Sequence, residues 1–86
     1  MHKILIVDDE RPARNLIAEL VASYIPDSKT VQAESAYKAL SYLRNENFDL
    51  MFVDITMPGM SGIELLEEVN RMGKNLLLLS LLKIMV

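Results

Sequence analysis

Three aspartates at two distant places in the sequence could carry out chemistry together. Asp8 and Asp9 follow the apolar run 4–7, and Asp54 follows the apolar run 50–53. Neither run alternates apolar with polar residues, which is typical of strands buried on both faces of a parallel sheet. Open α/β sheets bind their ligands at the carboxyl ends of such strands. The sequence therefore predicts that these carboxylates converge on one rim of a sheet.

Carboxylates gathered in this way repel each other, so such a site calls for a cation. A small number of oxygen ligands suits Mg²⁺, which keeps several of its waters. An ionised aspartate beside that ion is a possible nucleophile toward phosphorus, forming an aspartyl phosphate. Two plainer interpretations stay open at this point. Asp8 and Asp9 could cap a helix in solvent, and Asp54 alone could be an ordinary turn acid.

A helix must follow the first acidic stretch. Pro12 suits the first helical turn, where its missing N–H costs nothing. The apolar residues after it have the three-four spacing of one buried helical face. They are Ala13, Leu16, Ile17, Leu20, Val21 and Tyr24. Residues 30–33 then form a short predicted strand.

Two further helices are predicted from their capping residues. Ser35 is a predicted N-cap, and Ser61 with Glu64 matches a capping box, with Gly73 as the C-terminal cap. The predicted inner face of the first of these helices is Ala36, Ala39, Leu40 and Leu43, and that of the second is Ile63, Leu66, Val69 and Met72. The resulting βαβαβαβ order implies a parallel sheet with helices on both faces.

Composition limits the class of protein. At 86 residues we expect a single domain, 1–86, and a net charge of −3 argues against nucleic-acid binding by this segment. There is no cysteine, so neither a disulfide nor a thiolate metal site is possible. The longest apolar stretch, residues 76–86, is too short to span a bilayer, and the amino terminus has no signal-peptide pattern. We expect a cytoplasmic protein without a membrane segment.

Two motifs resemble the receiver domain of two-component response regulators. They are ILIVDDE at residues 4–10 and DITMPGMSG at residues 54–62, and RPAR at residues 11–14 is similar to the subgroup with LytTR-type DNA-binding output. The resemblance implies a flavodoxin-like sheet of strand order 2-1-3-4. It also implies a phosphoacceptor, not an enzyme, that receives its phosphoryl group from a histidine kinase. By this resemblance Asp54 is the phosphoacceptor, Asp8, Asp9 and Asp54 hold Mg²⁺, and Thr56 offers its backbone carbonyl to the metal.

The sequence departs from the family pattern after the fourth predicted strand. The usual fifth strand and last helices have no counterpart, which makes the domain C-terminally incomplete by comparison. The resemblance implies that Ser80 is the candidate hydroxyl that contacts the phosphoryl group. The lysine that the family carries at the end of its fifth strand has no matching position, and Lys83 stands in the wrong context to replace it.

An apolar edge strand and an uncovered sheet face favour association. We therefore expect a homodimer or larger assembly through residues 76–86, which could form a strand or, because leucine favours helix, a helix. An alternative function follows: a metal-binding, self-associating module that has lost the phospho-switch. A flavin- or nucleotide-binding flavodoxin relative is disfavoured, because acids stand where a glycine-rich phosphate loop would follow the first strand.

Overall fold

The fold is a four-stranded parallel sheet flanked by three helices. The computed structural model describes residues 1–74 and 76–81. Its elements are β1 (His2–Val7), α1 (Arg11–Tyr24), β2 (Ser28–Ala33), α2 (Ala36–Asn45), β3 (Leu50–Asp54), α3 (Gly62–Met72) and β4 (Leu77–Leu81). The strand order is β2-β1-β3-β4, with every neighbouring pair parallel, which confirms the flavodoxin-like prediction. Residues 77–81 form a strand and not a helix; residues 82–86 of the predicted association segment lie outside the described residues.

The central strand β1 is buried on both faces, as its continuous apolar run predicts. Leu5 and Val7 belong to the cluster that α2 and α3 cover, whereas Ile4 and Ile6 pack with residues of α1. All four side chains are at most 1% exposed. Since consecutive side chains of a strand point to opposite faces, the helices lie on both sides of the sheet.

The contact face of α1 differs from the predicted one. Its buried residues are Arg14 and Val21, whereas Leu16, Leu20 and Tyr24 are 57%, 48% and 81% exposed. Ile17 and Val21 pack in the core as predicted, whereas Arg14 and Ala18 complete the face that meets the sheet. The apolar pattern failed here because the face that meets the sheet contains an arginine, and three large apolar residues lie beside it.

The ends of the helices follow their predicted caps. Ser35 Oγ accepts a hydrogen bond from Lys38 N (3.1 Å), so Ser35 caps α2. Ser61 and Glu64 form the reciprocal capping box of α3, and Gly73 ends that helix in the left-handed region at φ 69°. In the part of the chain that the structure describes, no helix has the length and apolar character needed to cross a membrane.

The relative register of β1 and β3 is fixed at their amino-terminal ends. The backbone N–H of Lys3 donates to Asp49 Oδ2 (2.8 Å), and the backbone N–H of Asp49 donates to the carbonyl of Lys3 (2.8 Å). The Lys3 ammonium group also bonds to Glu46 and lies 5.3 Å from the centre of the Phe48 ring. With this register, Val7 pairs with Val53 at the other end of the two strands.

Candidate functional site

The first part of the site is an acidic turn after β1. Asp8 is fully buried, and its Oδ1 accepts a hydrogen bond from the backbone N–H of Glu10 (2.9 Å). Asp9 and Glu10 are exposed. One carboxylate oxygen from each of the three acids lies within 4.8 Å of the others. Sequence reasoning missed Glu10 as a member of this group, although it is the third acid of the same run.

The second part is Asp54, the last residue of β3. Its side chain is also fully buried. Oδ1 accepts two hydrogen bonds from Thr56, one from the backbone N–H (3.1 Å) and one from the hydroxyl (3.2 Å). Thr56 itself is exposed. The threonine hydroxyl is therefore part of the site, a role that the sequence analysis did not assign to it.

The strand register brings these two parts to the same rim. Val7 and Val53 are partners in the parallel ladder, so Asp8 and Asp54 directly follow paired residues on neighbouring strands. Adjacent strands lie about 4.8 Å apart. Within the described residues, Asp54 does not belong to the three-acid group, which consists of Asp8, Asp9 and Glu10. The structure thus gathers the acids of the turn and places Asp54 on the adjoining strand.

The loop after Asp54 is held by a close approach of α3. The backbone N–H of Gly62, the first residue of α3, donates to the carbonyl of Ile55 (3.1 Å). A Cβ atom at position 62 would lie 2.4 Å from the carbonyl oxygen of Asp54 and 2.8 Å from Ile55 Cα. Only glycine allows the helix to begin this close to the end of β3.

The remaining candidates lie toward the carboxyl end of the chain. Ser80 belongs to β4, and its backbone partner in the ladder is Val53, while Leu81 is the partner of Asp54. Its contact with a phosphoryl group stays a prediction, as does the metal contact of the Thr56 carbonyl. Lys83 lies outside the described residues.

Comparison with known proteins gives the family. The model of the response regulator receiver domain matches residues 4–81. The chain belongs to this family. The chemotaxis protein CheY of Pseudomonas aeruginosa is 42% identical over 67 residues, which are 78% of this receiver chain and 53% of that protein. The sensory transduction protein LytR of Staphylococcus epidermidis is 37% identical over 73 residues, 85% of the chain and 29% of that protein. The matched region is thus about half of the first relative and under a third of the second.

A solved receiver structure carries the same fold and a metal. The response regulator TrrA of Thermotoga maritima, determined in complex with Mg²⁺ and beryllium fluoride, is similar with a TM-score of 0.81 and 34% sequence identity. The similarity covers 93% of this chain and 70% of that one.

The donor set of the acidic turn fits a hard divalent cation. The three acids offer only oxygen ligands, which Mg²⁺ prefers, and octahedral coordination at about 2.1 Å places neighbouring ligand oxygens about 3.0 Å apart. The observed oxygens lie within 4.8 Å of one another, so the side chains must draw together by up to about 2 Å around an ion. Asp9 and Glu10 are exposed and have room for this movement. The fully buried carboxylates of Asp8 in the turn and of Asp54 on the adjoining strand also favour a nearby positive charge.

Proposed function

We propose that this receiver domain is a phosphoacceptor in two-component signal transduction and that Asp54 accepts the phosphoryl group. The observation that carries the proposal is the position of Asp54. It ends a buried strand beside the strand whose acidic turn provides Asp8 and Asp9. One oxygen of Asp54 is oriented by both donors of Thr56, which leaves the direction of the carboxylate well defined.

The phosphoryl donor is the phosphohistidine of a histidine kinase. A carboxylate oxygen of Asp54 attacks phosphorus, the new O–P bond forms, the P–N bond breaks, and the imidazole nitrogen keeps the electron pair. Asp8 and Asp9 would hold Mg²⁺ together with the Thr56 carbonyl. When bound, the ion offsets the repulsion between the Asp54 carboxylate and the incoming phosphoryl oxygens. Ser80 is the proposed hydroxyl contact to the phosphoryl group.

The wider assignment follows from the same proposal. Residues 1–86 form one domain that acts in the cytoplasm and receives phosphate without turning over a substrate as an enzyme does. The RPAR sequence at residues 11–14 supports the subgroup with LytTR-type DNA-binding output, and a sensory transduction protein LytR is among the relatives. The net charge of −3 supports the absence of direct nucleic-acid contact by this segment.

A second candidate function is a module that binds a cation and self-associates but accepts no phosphate. The observation that favours it is an apolar groove of about 250 Å³ between α1 and the sheet, lined by Ile17, Leu20, Tyr24 and Phe52 among others. Exposed apolar surface of this kind marks association sites. Together with the apolar segment 76–86 it supports the proposal of a homodimer or larger assembly.

Intact-mass measurement after incubation with Mg²⁺ and a small phosphodonor such as acetyl phosphate separates the two functions. We expect one phosphoryl adduct in the wild type and none in Asp54→Asn. Calorimetric Mg²⁺ binding without any adduct would favour the second function instead. Sedimentation at micromolar concentration tests the assembly, and a monomer there would contradict it.

A further inference from the structure

A buried arginine lies directly behind the acidic turn. Arg14, in the first turns of α1, is only 8% exposed. Its Nη1 donates to the backbone carbonyl of Asp8 (2.7 Å), and its Nε donates to Gln32 Oε1 on β2 (3.0 Å). Gln32 Nε2 in turn donates to Asn15 Oδ1 (3.3 Å). The guanidinium group thus joins the end of β1, the strand β2 and the helix α1.

The hydrogen bond to the Asp8 carbonyl holds the peptide group that joins two predicted cation ligands, Asp8 and Asp9. The carbonyl of Asp8 belongs to the peptide group between Asp8 and Asp9, so fixing this carbonyl fixes the direction in which Asp9 leaves the strand. On the other side, Asp8 Oδ1 accepts the N–H of Glu10. The turn is therefore held from outside by Arg14 and from inside by the Asp8 side chain.

The charge of Arg14 cannot itself favour a cation, because like charges repel. Whatever Arg14 contributes to cation binding must come from geometry. A guanidinium group presents several N–H donors in a rigid fork, whereas lysine has one compact ammonium group on a flexible stem. Lysine at this position would keep the charge but would not hold Asp8 and Gln32 at once in the observed arrangement.

We propose that Arg14 is a positioning residue that pre-organises the acidic turn for a divalent cation. The proposal rests on the proposed function only in assuming that the turn binds Mg²⁺. Ligand-orienting neighbours of metal sites typically affect affinity by about 10–100-fold. Removal of Arg14 weakens Mg²⁺ binding even though it removes a positive charge next to the site.

The test is calorimetric titration of the whole chain with Mg²⁺ in the wild type and in Arg14→Met, Arg14→Lys and Arg11→Met. We expect about tenfold weaker binding in both Arg14 variants. Arg11 is exposed at the start of the same helix, so Arg11→Met controls for the loss of charge, and its affinity should stay within about twofold of the wild type. Unchanged or tighter binding in Arg14→Met, or wild-type affinity in Arg14→Lys, would overturn the proposal.

Circular dichroism on the same samples shows whether each variant is folded. If Arg14→Met does not fold, Gln32→Leu decides the question, because it removes the acceptor of Arg14 Nε and keeps the arginine. We expect a weakening of a few-fold in this variant, and unchanged affinity would count against the proposal. If the wild type binds no Mg²⁺, the proposed cation site itself is overturned. If the wild type and the variants bind Mg²⁺ equally well, the cation site stands and only the role of Arg14 is overturned.

Discussion

Replacing Gly62 by alanine places a methyl group against the backbone at the end of β3. The added Cβ would lie 2.4 Å from the Asp54 carbonyl oxygen and 2.8 Å from Ile55 Cα. Ordinary contacts between such atoms are about 3.5 Å, so α3 or the end of β3 must move by about 1 Å. Neither neighbour is a flexible side chain that could turn away.

Two effects of Gly62→Ala lower the free energy of unfolding, and one effect raises it. Overpacking against rigid backbone costs about 1–3 kcal/mol, and loss of the bond from Gly62 N to the Ile55 carbonyl adds about 1 kcal/mol. Alanine regains up to about 1 kcal/mol of helix preference. The free energy of unfolding should therefore fall by about 2.5 kcal/mol, within a range of about 1–4 kcal/mol, which is a large share of the total of a domain this size.

Urea denaturation followed by far-ultraviolet circular dichroism measures this change. Gly73→Ala is the matched control at the other end of α3, because a Cβ there meets nothing within 4 Å but the residue sits at φ 69°. The left-handed backbone alone should cost about 1–2 kcal/mol. If Gly62→Ala is no less stable than Gly73→Ala, the close approach of α3 to β3 does not make the expected contribution to the free energy of unfolding.

Three further changes test the core, a cap and the cation. Leu43→Ala, at a side chain with no exposure, should lower the free energy of unfolding by about 2–5 kcal/mol, while Leu16→Ala at a 57% exposed position should change it by under about 0.5 kcal/mol in the same urea titration. Ser35→Ala should cost about 1 kcal/mol by the loss of the bond from Lys38 N; an unchanged unfolding midpoint would contradict the capping role. Excess Mg²⁺, at about 100 times its dissociation constant, should stabilise the wild type by about 2.7 kcal/mol, visible as a higher thermal midpoint. Asp9→Asn, a change at an exposed residue, should lose this gain without lowering the midpoint in EDTA.

Much of the fold could be predicted because its signals are local. The runs 4–7 and 50–53 read as buried strands, and Ser35, Ser61 and Gly73 mark helix ends at the positions observed. The face of α1 was predicted only in part, because hydrophobic periodicity treats arginine as a surface residue. Burial of Arg14 depends on acceptors in the turn after β1 and on β2, and the sequence of α1 itself does not show these partners.

The same distinction applies to the candidate site. Strand ends predict where Asp8 and Asp54 lie, since parallel strands share an edge, and both residues are found there. The hydroxyl bond from Thr56, the inclusion of Glu10 and the support from Arg14 depend on side-chain directions in turns. Spacing along the chain contains no information about these directions.

The mutual bonds of Lys3 and Asp49 lie five residues before Asp8 and Asp54 on their two strands, a distance of about 17 Å. Contacts at one end of the sheet thus help to align β1 with β3, and this alignment determines how the acids are placed at the other end. Because these contacts lie far from the acids, the loops around the acidic rim can change in sequence while the spacing between the acids stays the same. A substitution at Asp49 removes the side-chain bond to Lys3, and so acts on the alignment that places Asp54 beside Asp8 without changing either of these two residues.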